Sequence, residues 1–156
     1  MIDAGAFTSY LITFLGANTT DVLIGDGVTP KGGGPLKGQP GVEGFAPYIV
    51  LMPTRIVQDG QDILGASLAW RLTYSYEVFG GSRKQCDAIL TDCREALDEL
   101  LVLKFQVPGT GTQHWGGNSL NWREWGSPAR DDSTQPYSFR AVDSFTLFAA
   151  ITGESV

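Results

Sequence analysis

The residues able to do chemistry are few and badly spaced for it. His114 is the single histidine; it stands in a polar stretch beside Trp115, with no HxH or HExxH spacing around it. One histidine and two cysteines cannot complete the four ligands of a structural zinc site. Cys86 and Cys93 are seven residues apart. On one helix that is roughly 10 Å along the axis at ~1.5 Å per residue, too far for a disulfide, which fits a reducing compartment. Both lie in an apolar stripe, where cysteine acts as a small hydrophobe. The glycine pairs and triplets around Gly25-Asp26-Gly27 and Gly32-Gly33-Gly34 could expose backbone amides to a phosphate. However, Pro35 and Pro40 follow where a phosphate-binding loop needs Lys-Ser/Thr and the start of a helix. Asp98-Glu99 and Asp131-Asp132 offer paired carboxylates. Adjacent positions on a helix point apart, and the second pair sits in an apparent loop, so solvated charge is the expected state of both. No nucleophile elbow is present. Neither a catalytic residue nor a cofactor or metal ligand is expected.

The elements around these residues belong to one domain. A chain of 156 residues buries about 70% of its unfolded surface, and two separate cores are not expected. With 42% hydrophobic and 18% charged residues, the composition lies outside the disordered regime. Seventeen acidic against eleven basic residues give a formal charge of −6, which argues against gripping phosphate backbones by counterion release. No apolar stretch approaches the ~20 residues of a membrane helix, and Met1-Ile2-Asp3-Ala4 lacks the basic start of a signal peptide. Folding in the cytoplasm of the producing cell is expected.

Along the chain, Asp3 is a suitable N-cap for a helix in which Phe7, Tyr10, Leu11, Phe14 and Leu15 recur until Gly16. Val22-Leu23-Ile24 reads as a short strand, and Tyr48 to Met52 as another, bounded by Pro47 and Pro53. Between them lies a glycine-rich loop, about residues 25–45. From Leu68 to Val78 the even positions Leu68, Trp70, Leu72, Tyr74, Tyr76 and Val78 are apolar while the odd ones are polar, which is the pattern of a strand more than ~30 Å long. Gly80-Gly81 ends it. Ser82 and Gln85 form a capping box, and Cys86, Ile89, Leu90, Cys93, Leu97, Leu100 and Leu101 then make one helical stripe. Asp87, Asp92, Arg94, Glu95, Asp98 and Glu99 mark its outer face. Residues 107–136 show no sustained period yet hold three tryptophans, so a second long loop is expected there. Tyr137 to Ile151 reads as a long strand, with Asp143 the point at which a break would fall. The fold class is therefore α+β: a mixed, mainly antiparallel sheet packed by two helices, with two long irregular loops. Structureless loops of such length in a small domain are usually functional. Their contact residues are expected to be Lys37, Phe45, Trp115, Trp122 and Trp125, because tryptophan is enriched at interface hot spots.

The run from Arg71 to Phe79, the turn Gly80-Gly81-Ser82-Arg83-Lys84-Gln85-Cys86, the helix to about Leu101 and the strand Arg140 to Leu147 resemble tail terminator proteins of long-tailed bacteriophages. The likeness covers about a third of the chain. It also touches the neighbouring neck and head-completion (stopper) proteins, and a tail-tube subunit is a further reading within this class. The resemblance implies a virion structural protein, needing no cofactor, that closes as a hexameric ring on the head-proximal end of the tail tube. The ring would end tube growth and join the tail to the head connector. Six copies at −6 each would carry −36, so a mostly acidic lumen would let DNA pass without specific binding. A small enzyme or a module binding a host factor are the readings outside this class.

Overall fold

The computed structural model describes residues 3–35, 44–61, 67–102, 104–107, 113–117, 123–132 and 138–152. In chain order these form α1 (Ala4–Ala17), β1 (Leu23–Asp26), β2 (Gly34–Pro35), β3 (Phe45–Ala46), β4 (Tyr48–Gln61) and β5 (Ser67–Gly80). They continue with α2 (Arg83–Val102), β6 (Lys104–Val107), β7 (Gln113–Gly117), β8 (Arg123–Glu124), β9 (Ala129–Asp131) and β10 (Ser138–Thr152). The main sheet runs β1-β4-β5-β10-β7-β6, with β8 and β9 also on β10, and β2 pairs with β3 separately. β1 is parallel to β4; the other pairs are antiparallel. This is the α+β architecture expected, with both helices on one face of the sheet.

Strict alternation makes β5 the axis of the molecule. Leu72, Tyr74, Tyr76 and Val78 are fully buried while Arg71, Thr73, Ser75 and Glu77 face the other way. β10 matches it residue for residue, from Phe139↔Gly80 to Ala150↔Ala69. The two inner faces therefore meet as aromatic neighbours, Phe145 lying 5.7 Å from Tyr74 and 6.1 Å from Tyr76 between ring centroids. α2 lays Cys86, Leu90, Cys93 and Leu97 onto this surface, all with no exposed area. Ser82 Oγ accepts from the Gln85 amide at 3.1 Å, and Gln85 Oε1 accepts from the Gly81 amide at 2.7 Å. The capping box thus closes one residue earlier than the simplest form, on the amide before the cap.

α1 begins where expected, Asp3 Oδ1 accepting from the Ala6 amide at 3.0 Å. It buries Phe7, Leu11 and Leu15, and Thr8 shares a 3.0 Å hydroxyl contact with Tyr74. The same helix packs on β1, β4 and β6, and Tyr10 stacks on Phe105 of β6 at 5.0 Å. Strands at opposite ends of the sheet order therefore meet one helix, which requires a strongly curled sheet.

Three expectations are corrected. β4 does not end at Pro53 but runs on to Gln61. Pro53 lies just past the last β1 pair, Asp26↔Leu51, on an edge where proline is tolerated, and a register shift between Pro53 and Arg55 absorbs the irregularity. The 107–136 segment is not simply a loop. β7, β8 and β9 lie one after another antiparallel along the same edge of β10, at Phe148↔Gly117, Ser144↔Glu124 and Ser138↔Asp131. From Phe148 to Ser144 is a step of four positions on β10 against seven from Gly117 to Glu124, and from Ser144 to Ser138 a step of six against seven from Glu124 to Asp131. His114, placed above in a polar loop, instead pairs with Ile151 and Val107. Finally, β10 is unbroken at Asp143, for a reason that lies in the candidate site.

Some of the segment expected as the 25–45 loop lies in strands. Gly34 opens β2 at φ +102, a conformation glycine adopts without strain, and pairs with Ala46. Phe45, Tyr48, Val50, Met52 and Phe79 form a small second apolar cluster on the side of the sheet away from the helices.

Candidate assembly surface

Asp143 occupies a position in β10 that alternation turns inward, and it is completely buried. A lone carboxylate there would be very costly. Four donors satisfy it. Arg94 supplies Nε to Oδ2 and Nη2 to Oδ1, both at 2.8 Å, the Tyr76 hydroxyl donates to Oδ2 at 2.6 Å, and the Gly126 amide to Oδ1 at 2.8 Å. The strand therefore continues, because every strong acceptor site of the side chain is used. Arg94 was expected among the solvated charges of α2; it is instead drawn inward, with 26% of its side chain exposed.

The same guanidinium donates Nη2 to the Gly126 carbonyl at 2.6 Å. Both backbone polar groups of Gly126 are thus held by the pair. A Cβ at Gly126 would come within 2.3 Å of the Val142 carbonyl oxygen, so only glycine lets the link between β8 and β9 lie this close to β10. Trp125, just before it, stacks over Arg94 with the guanidinium carbon 5.3 Å from the ring centroid, and stays 40% exposed. The network fixes an exposed indole to the two longest elements of the core. Buried ion pairs contribute little net stability compared with apolar packing but strongly penalise loss of one partner. Positioning this edge is what the network accomplishes.

Burial governs the titratable groups nearby. The Tyr76 phenol is pushed far above its ordinary value, first by burial and then by the Asp143 charge. The Arg94 guanidinium is raised, chiefly by its bond to Asp143. Burial pushes the thiols of Cys86 and Cys93 up to about 12, so both are protonated at neutral pH and poor nucleophiles. Among the described residues, no group of three or more His, Cys, Asp or Glu could hold a metal ion. No helix of the described residues is long and apolar enough to cross a membrane.

The five expected contact residues are not gathered at one place. Trp125 stands at the surface as described. Phe45 is 4% exposed, inside the cluster with Tyr48, whose ring lies 6.3 Å away; it supports the β2–β3 hairpin from within rather than offering a contact. Trp115 pairs by its backbone with Ala150 and Gln106 in β7. Lys37 and Trp122 lie outside the described residues. Arg94, Asp143 and Gly126 were missed as a unit. The available signal was Asp143 itself, a single charge in the buried phase of an apolar strand, which demands a cationic partner from another element.

Among the described residues, no element packs on the sheet face opposite the helices beyond the β2–β3 hairpin. That face carries Arg140 bound to Glu77 at 2.8 Å, then the hydroxyls of Thr73 and Thr146 in contact at 2.9 Å, then a cleft of about 130 Å³ lined by Arg55, Val57, Arg71, Thr73 and Thr146. No protein-family model and no curated protein matches the chain. Several solved structures are similar; one of them has 16% identity, covering 96% of this chain and 92% of the other with a TM-score of 0.48. Similarity at that level carries no functional argument, and the reading rests on the chain's own residues.

Proposed function

We propose that this protein is a bacteriophage virion structural protein, a tail terminator that assembles as a ring at the head-proximal end of the tail tube. It acts by shape and association, without a cofactor. The observation that carries the reading is that the segments resembling tail terminators form one packed unit. β10 is in register with β5 over twelve pairs, and α2 lies across both, bound through Arg94 to Asp143. The exposed Trp125 and the open sheet face leave that unit with surfaces for neighbours on both sides. A ring built from head-to-tail contacts closes on itself and so ends lateral growth.

The partners in this reading are further copies of the chain, the tail-tube protein and the head connector or stopper, with DNA passing through the ring. The open face does not favour a purely acidic lumen. Its described charges include Arg55, Arg71 and Arg140 together with Glu77, Glu124 and Asp131, so that face is mixed in sign and better suited to a protein neighbour than to an anion-repelling wall.

Native mass measurement followed by negative-stain imaging tests the reading. A closed ring of defined copy number, incorporated into virions at the neck, is expected. A monomer absent from particles would overturn it, and spontaneous filaments of the chain alone would assign it to the tube instead.

A further inference from the structure

Trp125 and Val142 are large apolar side chains that each stay 40% exposed, and they stand on opposite faces of one sheet edge. Trp125 is on the helix side, its ring over the Arg94 guanidinium of α2. Val142 is on the other side, because its neighbours in β10, Ala141 and Asp143, are both turned inward and buried. It lines a cleft of about 380 Å³ between β10 and the link from β8 to β9, together with Ser127, Ala129, Arg130, Asp131 and Arg140. Both arginines are held by carboxylates of their own chain, Arg140 by Glu77 at 2.8 Å and Arg130 by Asp132 at 2.6 Å. With Asp131 as a further carboxylate, the wall does not call for an anion. A neutral ring with an N–H donor matches it. Val142 and Ala129 offer apolar surface, guanidinium planes stack on aromatic faces, and the Ser127 hydroxyl is an acceptor. Such a ring is what Trp125 presents. An indole left partly in water forgoes part of its burial energy, yet the buried Arg94–Asp143 pair and the close approach of Gly126 hold the link that carries it in that position.

We infer that Trp125 of one copy inserts into the Val142 cleft of the next copy, as the anchor of a head-to-tail contact repeated around the assembly. This rests on the ring reading above and names its interface. Because the indole and the cleft lie on opposite faces, the contact is heterologous, so it propagates from copy to copy instead of stopping at a two-fold dimer. The indole is already stacked on Arg94, so little side-chain freedom is lost when it docks. Aromatic anchors seated in pockets carry most of the energy of an interface. The occupant is a second copy because the chain itself supplies the ring that the cleft fits, and one contact then covers both exposed apolar side chains. Nucleic acid does not fit: Glu77, Asp131 and Asp132 stand at the cleft, and a chain of net charge −6 repels closely spaced phosphates.

The test uses two variants of the full chain, their folding checked by circular dichroism. Trp125→Ala removes the inserted ring; Ala129→Trp, at an exposed position, fills the cleft from its own chain and leaves Trp125 in place. Sedimentation should show each variant weakened in self-association by at least about tenfold. An equimolar mixture should form one-to-one pairs and nothing larger, because the first variant keeps a usable cleft and the second a usable indole. If Trp125→Ala impairs folding, Ala129→Trp and Val142→Arg, both at exposed positions of the cleft, carry the test alone. A ring that tolerates the folded variants, or a mixture that stays monomeric, overturns this contact but leaves the ring reading standing. A monomeric wild type overturns both. A Trp125→Ala ring that forms normally but no longer joins virions gives the indole to the tube or connector protein and overturns the inference.

Discussion

Arg94 on α2 and Asp143 on β10, forty-nine residues apart, meet through two parallel N–H···O bonds of 2.8 Å, and the same arginine holds the Gly126 carbonyl. Helix, central strand and outer edge are joined at this one point. Asp143→Ala or Arg94→Met leaves an uncompensated buried partner and should cost about 3–5 kcal/mol in urea unfolding. The double variant Arg94→Met with Asp143→Leu should fall closer to wild type than either single change. Equal losses in all three would mean that the pair does not act as a unit.

Gly126 depends on close approach. Gly126→Ala pushes a methyl group into the Val142 carbonyl, 2.3 Å from its ideal position. The expected outcome is a loss of about 1–3 kcal/mol, the usual range for overpacking, together with faster amide exchange at Trp125 and Gly126. An unchanged melting temperature would show that the link between β8 and β9 is not packed as described.

Much of the core was legible because it is written in local periods. The alternation through Leu72, Tyr74, Tyr76 and Val78 and the stripe from Cys86 to Leu97 each need only one element to be read, and both are buried as their phase requires. Ser82 and Gln85 announced the start of α2 for the same reason. What was not legible depends on partners far away in sequence. Pro53 looked like a strand end because proline cannot donate to a ladder; β4 tolerates it because its neighbour β1 stops at Asp26, which no local pattern records. Residues 113–131 looked irregular because their pairing with β10 comes in pieces of five, two and three residues with register slips between them. Asp143 looked like a break because its cation comes from another element.

The buried thiols and phenol set an alkaline limit. Burial raises Cys86 and Cys93 from 9.0, and Tyr74 from 10.0, to about 12. In each case the folded state favours the protonated form. Their contribution is therefore complete below about pH 9, and it is lost progressively as pH rises from the unfolded values toward about 12. Far-UV circular dichroism should stay flat to about pH 9 and fall between about pH 9 and 12, with tyrosinate absorbance rising in the same transition. The chain has five tyrosines, so the Tyr74 signal is taken as the difference between wild type and Tyr74→Phe; a difference signal appearing near pH 10 with structure intact would place Tyr74 at the surface instead.

Leu97 has no exposed area in the middle of the α2 stripe. Leu97→Ala should cost about 2–5 kcal/mol, and Leu97→Asp should prevent folding by burying a charge with no described partner. Thermal melting decides this, and a Leu97→Asp protein that melts like wild type would contradict the packing of α2.

The central claim, that the protein acts by capping a growing tube, is tested most directly by adding it to purified tail-tube protein during polymerisation and measuring tube length by electron microscopy. Tubes should stop short in proportion to the amount added, each carrying a ring at one end. Tubes of undiminished length with bare ends would contradict the claim.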